Sequence, residues 1–391
     1  MVNLESLYTS ASAVALIDRV SEELDTKTEL AIITARQKQG LDSELVRFAV
    51  EQAVLRKKAQ KKFGPAANQM LFTESGLEQA TRSSVAAWHA SLLRSAGIDS
   101  VTDIGCGIGA DSIAFAKAGI GVVAIENNQP AFLAASHNLS PYSTAKVILE
   151  NAESAQIATA ALYLDPARRE QKRSGKSHLR LDPKDFSPSL DFAFGLASKV
   201  SALIKLSPGF PHEMLPKDME ANWVSEQGDL VEVLIRSGKL GKPGVRKAIM
   251  LGEEIHSFEG VQAEAKVREL GSYIFEPDSS LIRSHLLADF ANQNQLGLMS
   301  SGIAYLTADD DVASPWLKRY LVKDVLPLKE KHIRDYCSTH QIGTLEIKKR
   351  GIDITPEELR PKLRLKGTGA ATLVLTKVGS ARQAIVCEPI R

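Results

Sequence analysis

Three cysteines in 391 residues, Cys106, Cys337 and Cys387, cannot make a disulfide framework and fit a reducing compartment. No apolar run approaches the roughly 18 residues that a membrane span requires. The start, Met1-Val2-Asn3-Leu4-Glu5, lacks the basic opening of a signal peptide, so a cytoplasmic protein away from membranes is expected. No excess of charge exists either. The 48 basic residues against 47 acidic ones leave +1, so any nucleic-acid role must rest on local patches. Metal-spaced Cys/His sets, a Walker loop and a Gly-x-Ser-x-Gly elbow are all missing, as are internal repeats and low-complexity tracts. No metal site is expected, and the eight histidines are scattered without catalytic company.

What is present describes a folded, multi-domain protein. Hydrophobic residues make up 44% and charged residues 24%, which excludes wholesale disorder, and the length suggests two or three domains. Residues 1–97 show no convincing strand. Over 43–63 apolar residues recur at helical spacing, and that helix ends in Arg56, Lys57, Lys58, Lys61 and Lys62. A basic end suits the helix macrodipole as a solvated terminus, and RNA contact is the other reading. A second helical run covers 77–93. From 98 to 258 the pattern becomes strand–helix alternation, with strands at 101–104, 121–125, 145–149, 160–164 and 202–206 and a helix over 186–199. Such alternation implies a mainly parallel sheet covered on both faces. Segments 230–235 and 247–251 then read as a closing hairpin-like pair. Residues 259–391 mix helices (278–291, 329–340) with strands (343–348, 372–376, 383–386), as an α+β module.

The most informative segment runs from Val101 through Asp103, Gly105, Cys106, Gly107 and Gly109 to Asp111. Glycines directly after a strand let the backbone turn sharply and approach a ligand. Glu126 ends the second strand, where a carboxylate can accept both hydroxyls of a ribose. The spacing Gly105-x-Gly107-x-x-Ala110 also fits a dinucleotide fingerprint. Asp103 favours S-adenosylmethionine instead, because a carboxylate there would repel a pyrophosphate but can pair with an α-ammonium. A dinucleotide or a plain glycine turn remain the alternatives. Cys106 reads as a small residue of the turn. Asn151, with the Ala152 amide, and Asn127 are placed to meet adenine, although each also suits an ordinary loop.

The fourth strand ends in Leu164-Asp165-Pro166-Ala167-Arg168-Arg169. Ligands of open α/β sheets lie beyond the carboxyl ends of strands, so Asp165 with the Pro166 carbonyl can hold an exocyclic amine in line with a sulfonium. A helix-capping Asp-Pro is the plainer reading. Arg168 and Arg169 open a basic loop over 168–184 that suits phosphate contacts, or simply solvent. Phe210, after the fifth strand, offers either an aromatic face for a flipped base or core packing. Lys348, Lys349 and Arg350, followed by Arg360, Lys362, Arg364 and Lys366, form a second basic concentration. Together the two suggest a shared polyanion track or two solvated surfaces.

These residues carry a resemblance. The chain is similar to bacterial class I S-adenosylmethionine-dependent methyltransferases with a C-terminal THUMP-like domain, related to trimethylguanosine synthases. Met70–Thr73, Gly76–Thr81, the 103–111 loop, 164–169, 302–307 and 345–351 carry the likeness over almost the whole chain. The resemblance implies an α/β fold: a Rossmann-like sheet over 98–258, an N-terminal helical region over 1–97 and a THUMP-like α+β domain over 259–391. It implies that Asp103, Gly105, Gly107 and Glu126 bind the cofactor, that Asp165 and Pro166 form the catalytic edge, and that the last domain guides RNA. The expected activity is methyl transfer to a base nitrogen of structured RNA, such as tRNA or rRNA. A small-molecule or protein methyltransferase and a non-catalytic RNA-binding protein are the alternatives.

Overall fold

No strand interrupts residues 4–99 in the computed structural model, which describes residues 4–154, 157–168 and 183–390. Helices α1 (Leu4–Thr9), α2 (Ala11–Glu23), α3 (Glu29–Lys38), α4 (Ser43–Phe63), α5 (Glu74–Gln79) and α6 (Ser83–Ser95) fill that stretch. The bounds of α4 follow from its caps. Asp42 accepts hydrogen bonds from the Glu44 and Leu45 amides at 2.9 and 3.2 Å, and Gly64 stops the helix at φ 55°. Val46, Ala49, Val50 and Ala53 form its buried stripe, in one cluster with Leu16, Ile17 and Val20 of α2. The basic end is in part the solvated terminus expected, with Lys57, Lys58 and Lys61 exposed, but Arg56 and Lys62 turn inward. Arg56 is buried, Lys57 pairs with Asp25 at 3.0 Å, and the Lys62 ammonium donates to the carbonyls of Leu77, Glu78 and Ala80 at 2.8, 2.6 and 2.9 Å. Lys62 thereby satisfies carbonyls left over where α5 ends, and the single helical run expected over 77–93 becomes two helices.

Between α4 and α5 the extended segment Met70–Phe72 belongs to no sheet, so two buried amide side chains take its backbone groups. Gln52 exchanges hydrogen bonds with Phe72 (2.8 and 2.9 Å), and Asn138 does so with Leu71 (2.8 and 2.9 Å). Asn138 also donates to the Ile108 carbonyl at 2.9 Å, which fastens this segment to the glycine loop.

The chain forms two compact units, Met1–Glu220 with Leu234–Gly244, and Ala221–Val233 with Val245–Arg391. In the first, β1 (Ser100–Ile104), α7 (Ala110–Lys117), β2 (Gly121–Glu126), α8 (Gln129–Leu139), β3 (Ala145–Leu149) and β4 (Ala161–Leu164) alternate as the sequence predicts. Two-residue strands β5 (Ala167–Arg168) and β6 (Phe186–Ser187) pair with each other, and α9 (Leu190–Ala197) leads to β7 (Ser201–Leu206). The helix expected over 186–199 starts later because Phe186–Ser187 is taken by that ribbon and Ser189 caps α9 through the Phe192 amide. The order β3-β2-β1-β4-β7 is parallel throughout, so Ile104, Glu126, Leu164 and Leu206 end on one edge.

The expected hairpin of 230–235 with 247–251 does not form. A strand absent from the sequence reading, β8 (Glu220–Glu226), joins β9 (Asp229–Arg236) through Gln227-Gly228, whose φ values of 53° and 87° suit a tight reversal. β10 (Arg246–Leu251) runs parallel to β8, with Arg246 opposite Ala221, and β11 (His256–Gly260) is antiparallel to β10.

The second unit continues with β12 (Tyr273–Pro277), α10 (Ser279–Arg283), α11 (Leu287–Gln293), β13 (Gly297–Ser300), β14 (Ile303–Ala308) and β15 (Leu317–Pro327). It closes with α12 (Glu330–Thr339), β16 (Ile342–Lys349), α13 (Pro356–Leu363), β17 (Gly369–Val378) and β18 (Ala381–Ile390). Their sheet has the order β13-β14-β12-β15-β18-β17-β16, antiparallel apart from β16 with β17. Leu345, Ile347, Leu373 and Leu375 share a core with Ile333 of α12 and Leu359 of α13. The helix expected over 278–291 is broken at His285, whose φ is 62°.

Replacing Asn138 by alanine would leave both polar groups of Leu71 and the Ile108 carbonyl without their partner. The expected loss in urea unfolding is about 3 kcal/mol, against a change below about 0.5 kcal/mol for the exposed Ser140→Ala.

Candidate active site

The glycine loop between β1 and α7 is built on left-handed backbone, with φ of 75° at Gly105, 58° at Gly107 and 83° at Gly109. The amides of Gly105 and Cys106 both donate to the Ile125 carbonyl, at 2.9 and 3.1 Å, which draws the loop to the end of β2. There the Glu126 carboxylate is oriented by three backbone amides: Gly107 at 2.9 Å on Oε2, and Asn127 and Asn128 at 2.9 and 2.8 Å on Oε1. Asn128 then caps α8 through the Ala131 amide at 3.1 Å. Glu126 is thus a fixed acceptor at the strand edge.

Asp103 is buried at 1% exposure. Its Oδ2 accepts a 2.6 Å hydrogen bond from the Ser112 hydroxyl, while Oδ1 has no partner among the described residues. Burial first, then the charges of Asp111, Asp165 and Glu126, push its carboxyl up to about 8 despite the Ser112 bond. Four carboxylates therefore converge on this edge. Facing them are His89, whose Nδ1 lies 2.8 Å from Asp111 Oδ1, and the Lys205 ammonium of β7, which pairs with Asp165. Burial works to raise Asp111, but the His89 hydrogen bond and charge, helped by Lys205, hold it below the ordinary carboxylate range.

Neither His89 nor Lys205 stood out in the sequence. His89 sits in an alanine-rich helix, and only the packing of α6 on α7 brings it to Asp111. Lys205 interrupts an apolar strand, a weak signal that a polar partner waits at the strand's end.

Asp165 remains partly exposed, its side chain at 33%, and Pro166 is buried. Cys106 is held well above its usual value by burial and by Asp103 and Glu126, so it stays a thiol and belongs to the turn. Asn151 is exposed, and its side-chain oxygen accepts from the Glu153 amide at 3.1 Å, forming a local turn beside Ala152. Phe210 corrects an expectation. It is 1% exposed and meets Phe186 edge to face at 6.2 Å, so it is a core ring with no open face for a base. Arg169 and most of the basic loop over 168–184 lie outside the described residues.

In the second unit the basic run 348–350 divides. Lys348 donates to Glu276 at 2.8 Å and lies 3.3 Å from Glu346, while Arg350 is 3.7 Å from Glu276 and donates to the Ala304 carbonyl. The two cations also lie over the rings of Tyr320 and Tyr305, at 5.6 and 4.8 Å. Burial would lower the Lys348 ammonium, but Glu276 outweighs it and holds the group above its usual value. Lys348 and Arg350 are therefore internal ties, which corrects their expected availability to a polyanion. Lys349, Arg360, Lys362, Arg364 and Lys366 are exposed.

Comparison with known proteins agrees with this architecture. Residues 317–389 match the family model THUMP domain-like. Over 361 residues, 88% of this chain, it is 28% identical to an uncharacterised S-adenosylmethionine-dependent methyltransferase of Mycobacterium tuberculosis and covers 97% of that protein. A second M. tuberculosis strain carries a relative with the same identity and coverage. The crystal structure of a candidate methyltransferase from Porphyromonas gingivalis W83 aligns with a TM-score of 0.78 at 18% identity, covering 98% of this chain and 99% of that one. The fold is that of a class I methyltransferase. A THUMP-like domain forms the C-terminal part of this methyltransferase fold, and the glycine loop, Glu126 and Asp165 occupy its strand ends. Among the described residues no group of His, Cys, Asp and Glu could hold a metal, and no helix is long and apolar enough to cross a membrane.

The Asp103 carboxyl makes a pH-dependent contribution to stability. Its folded value of about 8 exceeds that of an unfolded aspartate. Between those values the folded state holds the extra proton, so stability falls as pH rises through that window. Asp103→Asn should remove this slope. Urea unfolding of variant and wild type should diverge by a few kcal/mol between pH 5 and pH 9, with the variant favoured at the alkaline end.

Proposed function

We propose that this protein is an S-adenosylmethionine-dependent methyltransferase acting on a base nitrogen of structured RNA. The observation that carries the cofactor half is Asp103 Oδ1, a buried acceptor without a donor amid Asp111, Asp165 and Glu126. Such a surround disfavours a diphosphate and favours a cation, and S-adenosylmethionine carries both an α-ammonium and a sulfonium. Asp103 would receive the ammonium, and Glu126, held by three amides, would receive the ribose hydroxyls. Gly105, Gly107 and Gly109 leave the loop backbone open to close approach. Asn127, after β2, and Asn151 and Ala152, after β3, would meet the adenine.

When bound, the cofactor supplies an electrophilic methyl group. The protein's part is to place an acceptor nitrogen in line with it and to exclude water. Asp165, partly exposed and paired with Lys205, would accept a hydrogen bond from the exocyclic amine, with the Pro166 carbonyl as second acceptor. The RNA half rests on the THUMP-like domain and on exposed cations, Lys349, Arg360, Lys362, Arg364 and Lys366, with Arg168 shortly after Asp165 and Pro166. The internal pairing of Lys348 and Arg350 favours a second reading, a methyltransferase for a substrate other than nucleic acid.

Calorimetry with S-adenosylmethionine tests the first half. Glu126→Ala and Asp103→Ala should each weaken binding at least tenfold, and wild-type affinity should fall as pH is lowered from about 8, because Asp103 must release its proton to face an ammonium. Wild-type strength in both variants would sink the assignment. Asp165→Ala should keep cofactor affinity yet lose at least a hundredfold in transfer rate, the range expected for a positioned proton acceptor. For the RNA half, the combined Lys349→Glu, Arg360→Glu and Lys362→Glu variant should bind bulk tRNA or rRNA more weakly, with a shallower salt dependence. Unchanged, salt-insensitive binding would favour the second reading.

A further inference from the structure

Strand β7 is an apolar run with one interruption. Ala202, Leu203 and Ile204 are wholly buried and Leu206 nearly so, but Lys205 stands between the last two. A lysine in such company needs a partner for its ammonium. The register supplies one. β7 is parallel to β4 with Leu164 opposite Ile204, so Asp165 and Lys205 come next on neighbouring strands. There the Lys205 ammonium donates to Asp165 Oδ2, the two side chains being 14% and 33% exposed. Stability does not account for this choice of residues. An ion pair drawn partly out of water seldom stabilises a fold more than apolar side chains of similar size. An apolar residue at 205 would simply continue the core of β7.

The charges around the pair give it a use. Burial and then the charges of Asp111, Asp165 and Glu126 push the Asp103 carboxyl, whose contact is the Ser112 hydroxyl, up to about 8. Asp111 stays low against the same burial through the bond and charge of His89, with the Lys205 charge adding to them. Asp165 stands among these acids, and an ammonium in contact favours a charged carboxylate. The other cations nearby are engaged elsewhere. Lys62 of α4, lowered by burial and by the charges of Lys205 and Arg82, donates to the carbonyls of Leu77, Glu78 and Ala80. His89 of α6 serves Asp111.

We propose that Lys205 is a positioning residue, whose ammonium holds Asp165 by Oδ2 and keeps it an ionised acceptor for the amine that receives the methyl group. This role rests on Asp165 facing the acceptor, as in the proposed function. Methyl transfer leaves positive charge on that nitrogen, which a carboxylate supports and a carboxylic acid does not.

Lys205→Met keeps the length of the side chain and removes its charge. In calorimetry this variant should bind S-adenosylmethionine within threefold of wild type. With carbon-13 in the aspartate carboxyls, the Asp165 signal is assigned by its loss in Asp165→Asn. It should titrate about one unit or more higher in Lys205→Met, and Lys205→Arg should restore it. Single-turnover methyl transfer to bulk tRNA or rRNA should slow at least tenfold in Lys205→Met and recover in part in Lys205→Arg. Lys205→Met combined with Asp165→Ala should be no slower than Asp165→Ala by itself, because the lysine acts through that carboxylate. The proposal is overturned if the Asp165 signal titrates alike with and without the lysine, or if Lys205→Met loses cofactor affinity along with rate. A double variant slower than Asp165→Ala by the full Lys205→Met factor would also overturn it. If bulk RNA takes no methyl group from the wild type, the substrate reading fails by itself, and the carboxyl signal still decides for or against Lys205.

Discussion

A carboxyl group shut away from water, with one oxygen bonded to Ser112 and the other unanswered, governs the candidate site. Asp103 is tolerated there because its surroundings are rigid in several independent ways. Ile104 beside it and Leu164 and Ile125 on the neighbouring strands are almost wholly buried, so the strand ends cannot splay. Glu126 is pinned by backbone amides, Asp111 by His89 and Asp165 by Lys205. The electrostatic tension is thereby confined to one group that can shed it by holding a proton or by meeting a cation. A proton or a cation relieves that tension, whereas an added anion would increase it.

The second unit manages charge in the opposite manner. Glu276 gathers Lys348, Arg350 and the Tyr320 hydroxyl into one half-buried knot, with two rings beneath the cations. Once paired in this way, the cations contribute little field outward, and their exposed neighbours carry what positive potential the surface has. A run of adjacent basic residues on a strand alternates sides by geometry. Lys349, between two inward-facing partners, is exposed for that reason.

Much of this was legible in the residues. Segment 43–63 reads as a helix and is one, because its stripe and its Asp42 and Gly64 caps act locally. The alternation around Asp103, the glycines and Glu126 maps onto the parallel edge because each strand there is a short apolar run followed by turn chemistry. What stayed hidden depends on distant partners. β8, with Glu220, Asn222, Ser225 and Glu226 among seven buried residues, lacks the apolar signature of an interior strand, since its polar groups are satisfied by other segments. The roles of Lys348 and Arg350 rest on Glu276, more than 70 residues earlier. For Phe210 the residues left an open face and core packing both possible, because nothing local reveals that Phe186 lies against it. Asn138 and Gln52, which hold Met70–Phe72, are ordinary helical amides until the fold is known.

The division of the chain also has a practical meaning. After Glu220 the backbone leaves the first unit for Ala221–Val233 and returns for Leu234–Gly244 before departing for good. The returning stretch is tied in closely. Arg236 pairs with Glu220 at 2.8 Å, and Ser237 exchanges hydrogen bonds with Ala202, at 3.0 and 3.1 Å, on the strand that carries Lys205. A fragment truncated after residue 220 would therefore lose its own last strand pairing along with the rest. Gene fusions or circular permutations that respect this interleaving must keep residues 201–244 together, which makes the protein a poor candidate for modular exchange by simple cut and splice.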